Sequence, residues 1–343
     1  MRTENAIAGQ DEIEKGIKAL AQVRSQIGEV IVGQSEVVEL TLLALLIEGH
    51  VLLEGVPGLG KTLLVKTLAD TLSLHFSRIQ FTPDLMPADV LGSTVIVQSD
   101  KNNYDLRFEQ GPIFANLLLA DEINRASPKT QSALLEAMQE RSVTVRGTKY
   151  PLPRPSQVLA TQNPLEMEGT YPLPEAQIDR FAFKILIAHP SQSELIQIVE
   201  KTVGTESLPI KAVMDSATLE TLQRAVREIV VPSHIFEYAA RLTMASLPEQ
   251  DHAPARVKKF VRYGAGPRGT QTLVLAAKAR ALMQGRFHVC LDDLRSCVTP
   301  VLRHRIALNF DGQTENISVD TILADMILAI DGERDWEQSI RPE

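Results

Sequence analysis

Cysteine is scarce in this sequence, and long apolar runs are missing. The 343 residues include two cysteines, Cys290 and Cys297. On one helix they would lie two turns apart, about 10 Å between their Cα atoms, which is too far for a disulfide. The longest apolar stretch, residues 40–47, falls well short of the roughly 18 to 20 residues that a membrane-spanning helix requires. We therefore expect two packed, reduced thiols and no membrane crossing.

Two further features are missing, a secretory signal and an excess of basic charge. Residues 1–11 contain acidic and amide side chains, without the basic patch and apolar segment of a signal peptide. The net charge of −8 argues against nucleic-acid binding over the whole surface, although a local basic face would be compatible with it. These absences predict a cytoplasmic protein for which DNA is not the first partner to consider.

The length predicts two domains, because a single hydrophobic core stops growing at about 250 to 300 residues. After a helix over residues 11–28, short apolar runs alternate with amphipathic stretches as far as about Pro190. This alternation is typical of an α/β fold, in which helices cover both faces of a parallel sheet. Five runs are apolar enough to be core strands buried on both faces. They are residues 50–54, 75–81, 116–121, 157–162 and 183–187.

Two pairs of short segments, each joined by a turn, interrupt this alternation. Residues 93–98 and 104–108 flank a polar turn, and residues 142–146 are followed across Gly147 by residues 149–152. Both segments have the pattern of a β-hairpin. We expect two hairpins that project from the sheet, either with a function or as ordinary surface decoration.

After Pro190 the pattern becomes helical. Ser191 and Glu194 form a capping box that opens a helix. Further helices are predicted at residues 216–230, 233–246, 269–284, 291–305 and 319–330. We therefore predict an α/β domain at residues 1–189 and a small all-α domain at residues 190–343.

A glycine-rich loop follows the first predicted strand and precedes an amphipathic helix. Its residues, Gly55, Val56, Pro57, Gly58, Leu59, Gly60, Lys61 and Thr62, match the phosphate-binding pattern G-x-x-x-x-G-K-[ST]. Glycines allow backbone N–H groups to curl around phosphate oxygens, and the following helix directs its positive end at them. Lys61 adds a cation, and the Thr62 hydroxyl is suited to hold Mg²⁺. We predict an ATP site that extends to Leu63.

The buried run at residues 117–120 ends in two carboxylates, Asp121 and Glu122. Ligands bind at the carboxyl edge of a parallel sheet, where these side chains would emerge. We expect Asp121 to bind Mg²⁺ and Glu122 to orient and polarise the attacking water. The alternative is a solvated helix N-cap without a ligand.

Three more polar residues are candidates for contact with a γ-phosphate. Asn163 follows the run 157–162 and would emerge between the first and third strands of a P-loop sheet. Arg180 precedes the last core strand, and Arg268 begins a later helix, so either guanidinium is suited to sense phosphate charge. The alternatives are an Asn-Pro turn and two solvated surface arginines.

In this order the motifs resemble an AAA+ ATPase, and the sequences between them resemble the MoxR family. The resemblance covers nearly the whole chain and is carried by residues 54–62, 108–112, 121–126, 129–140, 161–164 and 168–177. It implies that Asn163 is sensor 1, that Arg180 is an arginine finger for a neighbouring subunit, and that Arg268 is sensor 2 of a lid domain. Val32, Gly33 and Gln34, with Ile31 before them, resemble the segment that lines the adenine pocket.

The resemblance also implies an assembly. ATP would lie between subunits of a homo-oligomeric ring, usually a hexamer, and the two hairpins resemble insertions that face the pore or a partner. No von Willebrand A, protease or receptor domain is recognisable in the sequence. The family therefore implies a chaperone-like machine that matures or assembles a client complex with a separate von Willebrand A-type protein. One departure is Gly266-Pro267-Arg268-Gly269, where the family often has Ser-Pro-Arg-Ala, and it suggests a looser lid hinge.

Four other functions remain open at this point. A magnesium-chelatase-like motor subunit would use the same chemistry with another partner. A nucleic-acid motor has local support only from Arg146, Lys149 and Arg154 near the second hairpin. A scaffold that binds ATP merely to oligomerise would not need Glu122. A GTPase is disfavoured, because the sequence has no N-K-x-D guanine signature.

Overall fold

The computed structural model describes residues 2–100, 103–164, 169–203 and 210–332. The chain divides into two compact units, of which the first comprises Met1–Phe181 and Ile185–Thr221. The second comprises Ala182–Lys184 and Leu222–Glu343. The helix that follows Ser191 belongs to the first unit, and the boundary after residue 189 stays a prediction of where the second functional domain begins. Within the described ranges, no helix is both long enough and apolar enough to cross a membrane.

As far as residue 203, the chain alternates helices and strands. In order they are α1 (Arg2–Val30), α2 (Ser35–Leu46), β1 (Val51–Glu54), α3 (Lys61–Thr71), β2 (Phe76–Gln80), α4 (Pro87–Leu91), β3 (Gly92–Asp100), β4 (Asn103–Gln110), β5 (Leu117–Asp121), a short 3-10 helix (Ile123–Arg125), α5 (Pro128–Glu140), β6 (Ser142–Val145), β7 (Thr148–Pro151), β8 (Gln157–Gln162), α6 (Glu175–Ile178), β9 (Phe183–Leu186) and α7 (Gln192–Val203). The first helix is longer at both ends than the predicted helix over residues 11–28.

A five-stranded sheet in the order β2-β5-β8-β1-β9 forms the centre of the α/β region. The pairs β2–β5, β5–β8 and β8–β1 are parallel. The predicted core strands match these five to within one residue at each end. The inner strands β1, β5 and β8 are buried almost throughout, whereas the edge strand β2 has exposed polar residues at alternate positions. The predicted α/β fold with a parallel sheet is confirmed.

Apolar side chains cover both faces of this sheet. On one face, Leu52, Leu118 and Val158 belong to a buried cluster that includes Leu134 and Met138 of α5. The residues at alternate strand positions are buried as well, and α3 contacts β2 and β5. Helix α5 begins after Ser127, because the Ser127 hydroxyl accepts the Thr130 N–H and proline follows it. This packing fixes the positions of the strands, and with them the strand ends at the carboxyl edge of the sheet.

Both predicted hairpins are present. β3 pairs antiparallel with β4, and β6 pairs antiparallel with β7. Residues 101 and 102, in the predicted turn of the first hairpin, lie outside the described residues. At its base, Gly92 has φ of 101°, and a Cβ on Gly111 would lie 2.4 Å from the Gly92 nitrogen. The left-handed φ at Gly92 and the close backbone contact at Gly111 both exclude a side chain. Both positions therefore require glycine.

The remainder of the described chain is largely helical, as predicted. Its helices are α8 (Ser216–Glu228), α9 (Ser233–Ala245), α10 (Ala255–Phe260), α11 (Pro267–Met283), α12 (Leu291–Leu302), α13 (Phe310–Thr314) and α14 (Val319–Gly332). An antiparallel pair, β10 (Val261–Tyr263) with β11 (Ala307–Leu308), is added to them. This pair was not predicted, because such short strands show no alternating pattern. Both cysteines are thiols, with Cys290 as the N-cap of α12 and Cys297 within it.

Candidate nucleotide site

The glycine-rich loop joins the carboxyl end of β1 to the amino end of α3. Gly58 and Gly60 have φ of 86° and 77°, left-handed values that favour glycine. A Cβ built on either residue meets no atom within 4 Å, so the loop borders open space. Gly60 is the N-cap of α3, and no side chain caps this helix. Its first N–H groups are therefore available to an anion.

Lys61 lies inside this loop. Its Nζ donates a 2.7 Å hydrogen bond to the carbonyl of Gly55. Burial lowers the pKa of the Lys61 ammonium from its ordinary value, and the negative charges of Asp121 and Glu122 oppose part of that effect. The loop thus holds a cation within electrostatic reach of both carboxylates.

A cavity of about 460 Å³ lies beside the loop. Three stretches line it: the end of α1 with residues 31–34, the loop with the start of α3, and the residues after β9 with one side of α7. The lining residues are Val30, Ile31, Val32, Gly33, Gln34, Pro57, Gly58, Leu59, Gly60, Leu63, Ala188, His189, Pro190, Leu195, Ile198, Lys201 and Thr202. They include most of the predicted nucleotide contacts. Gly55, Val56, Lys61, Thr62 and Asp121 are not among them.

Sequence reasoning missed the contribution of α7 to this cavity. The helix that Ser191 and Glu194 open was predicted only as part of the second domain. The predicted capping box is present, since the Ser191 N–H donates to Glu194 Oε2 at 2.7 Å. It holds the Glu194 carboxylate against Gly33, where a Cβ would lie 2.5 Å from Glu194 Cδ. The box fixes where α7 begins, but no spacing in the sequence indicates that α7 packs beside the loop.

The side chains around the cavity fit a purine nucleotide with Mg²⁺. The lining is mostly apolar, which suits a planar base. The Gln34 Nε2 donates to the Leu59 carbonyl at 3.0 Å, while the buried Gln34 Oε1 has no partner and is available to an amino group. In the described part of the chain, no three His, Cys, Asp or Glu side chains converge on a metal site. The candidates for Mg²⁺ are the predicted Thr62 and Asp121, since Mg²⁺ bound with a nucleotide takes most of its ligands from phosphates and water.

The two carboxylates lie at the end of β5, and Thr161 of the adjacent β8 fixes both residues. The Thr161 hydroxyl donates to Asp121 Oδ1 at 2.6 Å and accepts the Glu122 N–H at 2.8 Å. Glu122 has φ of 55°, a left-handed conformation that is unfavourable for a residue with a Cβ. Its backbone turn is thus held by a hydrogen bond from the neighbouring strand.

Three further side chains contact these carboxylates, and sequence reasoning missed all three. Arg78 Nη2 donates to Asp121 Oδ2 at 2.7 Å. Gln80 Nε2 and Arg125 Nη1 donate to Glu122 Oε2 at 2.7 Å and 2.9 Å. A weak signal exists for the first two, because Arg78 and Gln80 are two residues apart on a predicted strand and therefore share one of its faces. Their targets depend on the pairing of β2 with β5, which the sequence does not specify.

The remaining predicted residues lie at different places. Asn163 is buried directly after β8, which runs between β1 and β5, the position predicted for it. Arg180 is half-buried after α6, where its backbone N–H donates to the Gln177 carbonyl at 3.2 Å, and it does not line the cavity. Arg268 is exposed near the start of α11, in the second compact unit. The roles of these three residues stay predictions.

Gly269 is buried within α11, where a Cβ would lie 3.0 Å from Arg305 Cδ and 3.2 Å from Leu302 Cδ2. The glycine is therefore closely packed, and the looser lid hinge stays a prediction. In the segment 168–177, Glu168 lies outside the described residues.

Fold and site together define a class of protein. A phosphate-binding loop follows β1, two carboxylates follow β5, and a buried asparagine follows the strand between them. This arrangement on a sheet of the order β2-β5-β8-β1-β9, with a helical region after it, is that of a P-loop ATPase of the AAA+ class.

Comparisons with known proteins give the family. Residues 50–183 match the model of the ATPase family associated with various cellular activities (AAA), and residues 253–326 match that of the AAA lid domain. The chain is 42% identical over 315 residues to Chaperone MoxR1 of Mycobacterium tuberculosis, covering 92% of this chain and 82% of the relative. It is 31% identical to Protein MoxR of Paracoccus denitrificans, covering 82% and 86%. The crystal structure of a Cytophaga hutchinsonii protein assigned as an ATPase has a TM-score of 0.88 at 35% identity, covering 95% of this chain and 98% of that one. The chain belongs to the MoxR family of AAA+ ATPases.

Proposed function

We propose that this ATPase hydrolyses Mg-ATP in a homo-oligomeric ring, expected to be a hexamer, and thereby drives the chaperone-like maturation or assembly of a client protein complex. One observation supports the catalytic part above all. The loop holds the Lys61 ammonium within electrostatic reach of Asp121 and Glu122. A cation suited to bind phosphate and two carboxylates therefore meet at one edge of the sheet. We expect the protein to act in the cytoplasm, where ATP is made and consumed.

Each side chain has a distinct task in this proposal. When bound, Mg-ATP supplies the phosphoanhydride bond that breaks and the metal charge that offsets negative charge on the transferred phosphate. Lys61 and the N–H groups of residues 58–62 bind the phosphates. The Thr62 hydroxyl and the Asp121 carboxylate hold the metal. Val32, Gly33 and Gln34 contact the base, in keeping with the unpartnered Gln34 Oε1.

Hydrolysis itself is assigned to Glu122. Its carboxylate orients a water molecule for attack and accepts a proton from it. In the structure, Gln80 and Arg125 bind the same oxygen, Oε2, and leave Oε1 for that task. The Asn163 amide, at the end of the adjacent strand, donates a hydrogen bond to the γ-phosphate. Arg180 completes the site of a neighbouring subunit, and Arg268 senses the phosphate charge from the lid domain.

A client protein complex is proposed because the Mycobacterium tuberculosis relative is named a chaperone. A separate von Willebrand A-type protein is proposed as the partner that presents the client. Substrate capture would test this: Glu122→Gln, held with ATP, should retain the partner and the client together. Recovery of the chain alone would count against a machine that acts on other proteins.

The catalytic assignment has a sharper test. Glu122→Gln should lower phosphate release by about 10²- to 10⁴-fold, because an amide does not accept the proton of the attacking water. Nucleotide binding, measured by the fluorescence of a labelled ATP, should remain. Glu136→Gln, which removes the same charge from an exposed position on α5, serves as the control and should keep wild-type turnover. Unchanged phosphate release in Glu122→Gln would favour an ATP-binding scaffold.

A further inference from the structure

The edge strand β2 places a cation directly on the carboxylate that is proposed to hold Mg²⁺. Arg78 Nη2 and Nε lie 2.7 Å and 3.3 Å from Asp121 Oδ2. The other oxygen, Oδ1, accepts the Thr161 hydroxyl at 2.6 Å. Both oxygens of Asp121 are therefore engaged by donors of the chain itself, and the Asp121 side chain is only 16% exposed.

Strand register explains why Arg78 reaches Asp121. Gln80 lies opposite Asp121 in the β2–β5 pair, and Arg78 is two residues earlier, on the same face of β2. Arg78 Nη2 also donates to Gln80 Oε1 at 2.8 Å, which orients the guanidinium along the strand. Because β2 is the edge strand, the Arg78 side chain stays 45% exposed. It is therefore able to leave Asp121 without disturbing the core.

We propose that Arg78 is a positioning residue that competes with Mg²⁺ for Asp121. The inference rests on the proposed function, in which Asp121 helps to hold the metal. Arg78 directs two N–H groups at Oδ2, which has two lone pairs, so Mg²⁺ binds this oxygen directly only when Arg78 withdraws. Arg78 thus keeps Asp121 oriented and its charge compensated before nucleotide arrives, and it weakens the contribution of Mg²⁺ to nucleotide affinity.

The test measures binding and does not depend on turnover. The dissociation constant of a fluorescent, non-hydrolysable ATP analogue is determined in EDTA and in excess Mg²⁺ for each variant. The quantity compared between variants is the ratio of the dissociation constant in EDTA to that in Mg²⁺. Complexation of the analogue with Mg²⁺ in solution is the same for all variants and does not affect this comparison. In Arg78→Gln this ratio should rise about two- to fivefold, the range for a partly exposed ion pair. Binding in EDTA also shows that the variant is folded.

A matched ion pair in the same unit provides the control. Arg24 Nη2 lies 3.0 Å from Glu39 Oε2, with side chains 50% and 19% exposed, close to the 45% and 16% of Arg78 and Asp121. Arg24→Gln removes the same charge and should leave the ratio at its wild-type value. In an Asp121→Asn background, Arg78→Gln should no longer change the ratio, because the competing carboxylate is gone.

Each other result would overturn the inference. A ratio that is unchanged or lower in Arg78→Gln would show that Arg78 does not compete with the metal. An equal rise in the Asp121→Asn background would show a general effect of charge. If wild-type protein bound the analogue in neither buffer, the proposed function would fail instead, so the two failures are distinguishable.

Discussion

His50 shows how a single buried residue ties the sheet to α5. It lies just before β1, where its Nδ1 accepts the Val158 N–H at 3.0 Å and its Nε2 lies 3.2 Å from the Met138 carbonyl. These partners require a neutral ring with its proton on Nε2. Burial lowers the pKa of His50 from 6.5 to about 4; the Met138 carbonyl opposes this shift in part, and Arg141 adds to it.

Stability should therefore depend on pH through His50. The unfolded chain takes up a proton below about pH 6.5 and the folded one only near 4, so the contribution is full above 6.5 and lost as the pH falls. Between pH 7.5 and 5 the loss should be about 2 kcal/mol. Urea denaturation at both pH values measures it, and His50→Gln should lack this component. His75→Gln, at an exposed position, serves as the control. An equal pH dependence in His50→Gln and wild type would contradict the assignment.

Single residues also show what the sequence can and cannot predict. Lys61, Thr62 and the loop glycines were predictable because neighbours in sequence form the phosphate cradle. Arg78 was not, because its contact with Asp121 arises only when β2 pairs with β5. Thr161 likewise meets Asp121 and Glu122 only across the β5–β8 pair. These contacts could not be predicted, because they depend on which strands are neighbours in the sheet.

Among the elements, the two hairpins are joined by aromatic rings. Phe108 of β4 stacks on Tyr150 of β7, with ring centroids 4.3 Å apart and planes 29° apart. Phe108 also meets Phe114 edge to face at 5.8 Å. The hairpins are far apart in sequence, and their residue patterns predicted two separate projections from the sheet. Their contact indicates that they are stabilised together.

Removal of one ring should therefore loosen both hairpins. Such a pair contributes about 0.5 to 1.5 kcal/mol, so Tyr150→Ala should speed amide exchange in β3–β4 and β6–β7 by about two- to tenfold. Hydrogen-exchange mass spectrometry measures this directly. Tyr104→Ala, at a position on β4 that is 70% exposed, should leave β6–β7 unchanged. Faster exchange confined to β6–β7 in Tyr150→Ala would show that the hairpins are independent.

For the whole molecule, the question is whether one chain makes a complete site. All the residues that line the cavity belong to the first compact unit, and Arg180 is not one of them. The alternation of strands and helices was enough to predict the α/β fold, because burial on both faces leaves a strong pattern. The hydrophobic pattern of one chain does not indicate whether several chains assemble. The ring was therefore predicted from the family resemblance alone.

Mixing two inactive variants would decide whether Arg180 acts between subunits. Arg180→Ala alone should lose about 10³- to 10⁵-fold in phosphate release, as expected for an arginine finger, and Glu122→Gln alone should be inactive for its own reason. In an equimolar mixture with random assembly, about a quarter of the sites would join an intact Glu122 to an intact Arg180 from the neighbour. Phosphate release should then return to a substantial fraction of the wild-type rate. If Arg180 served its own subunit, every mixed site would lack one of the two groups, and mixtures at any ratio would stay inactive.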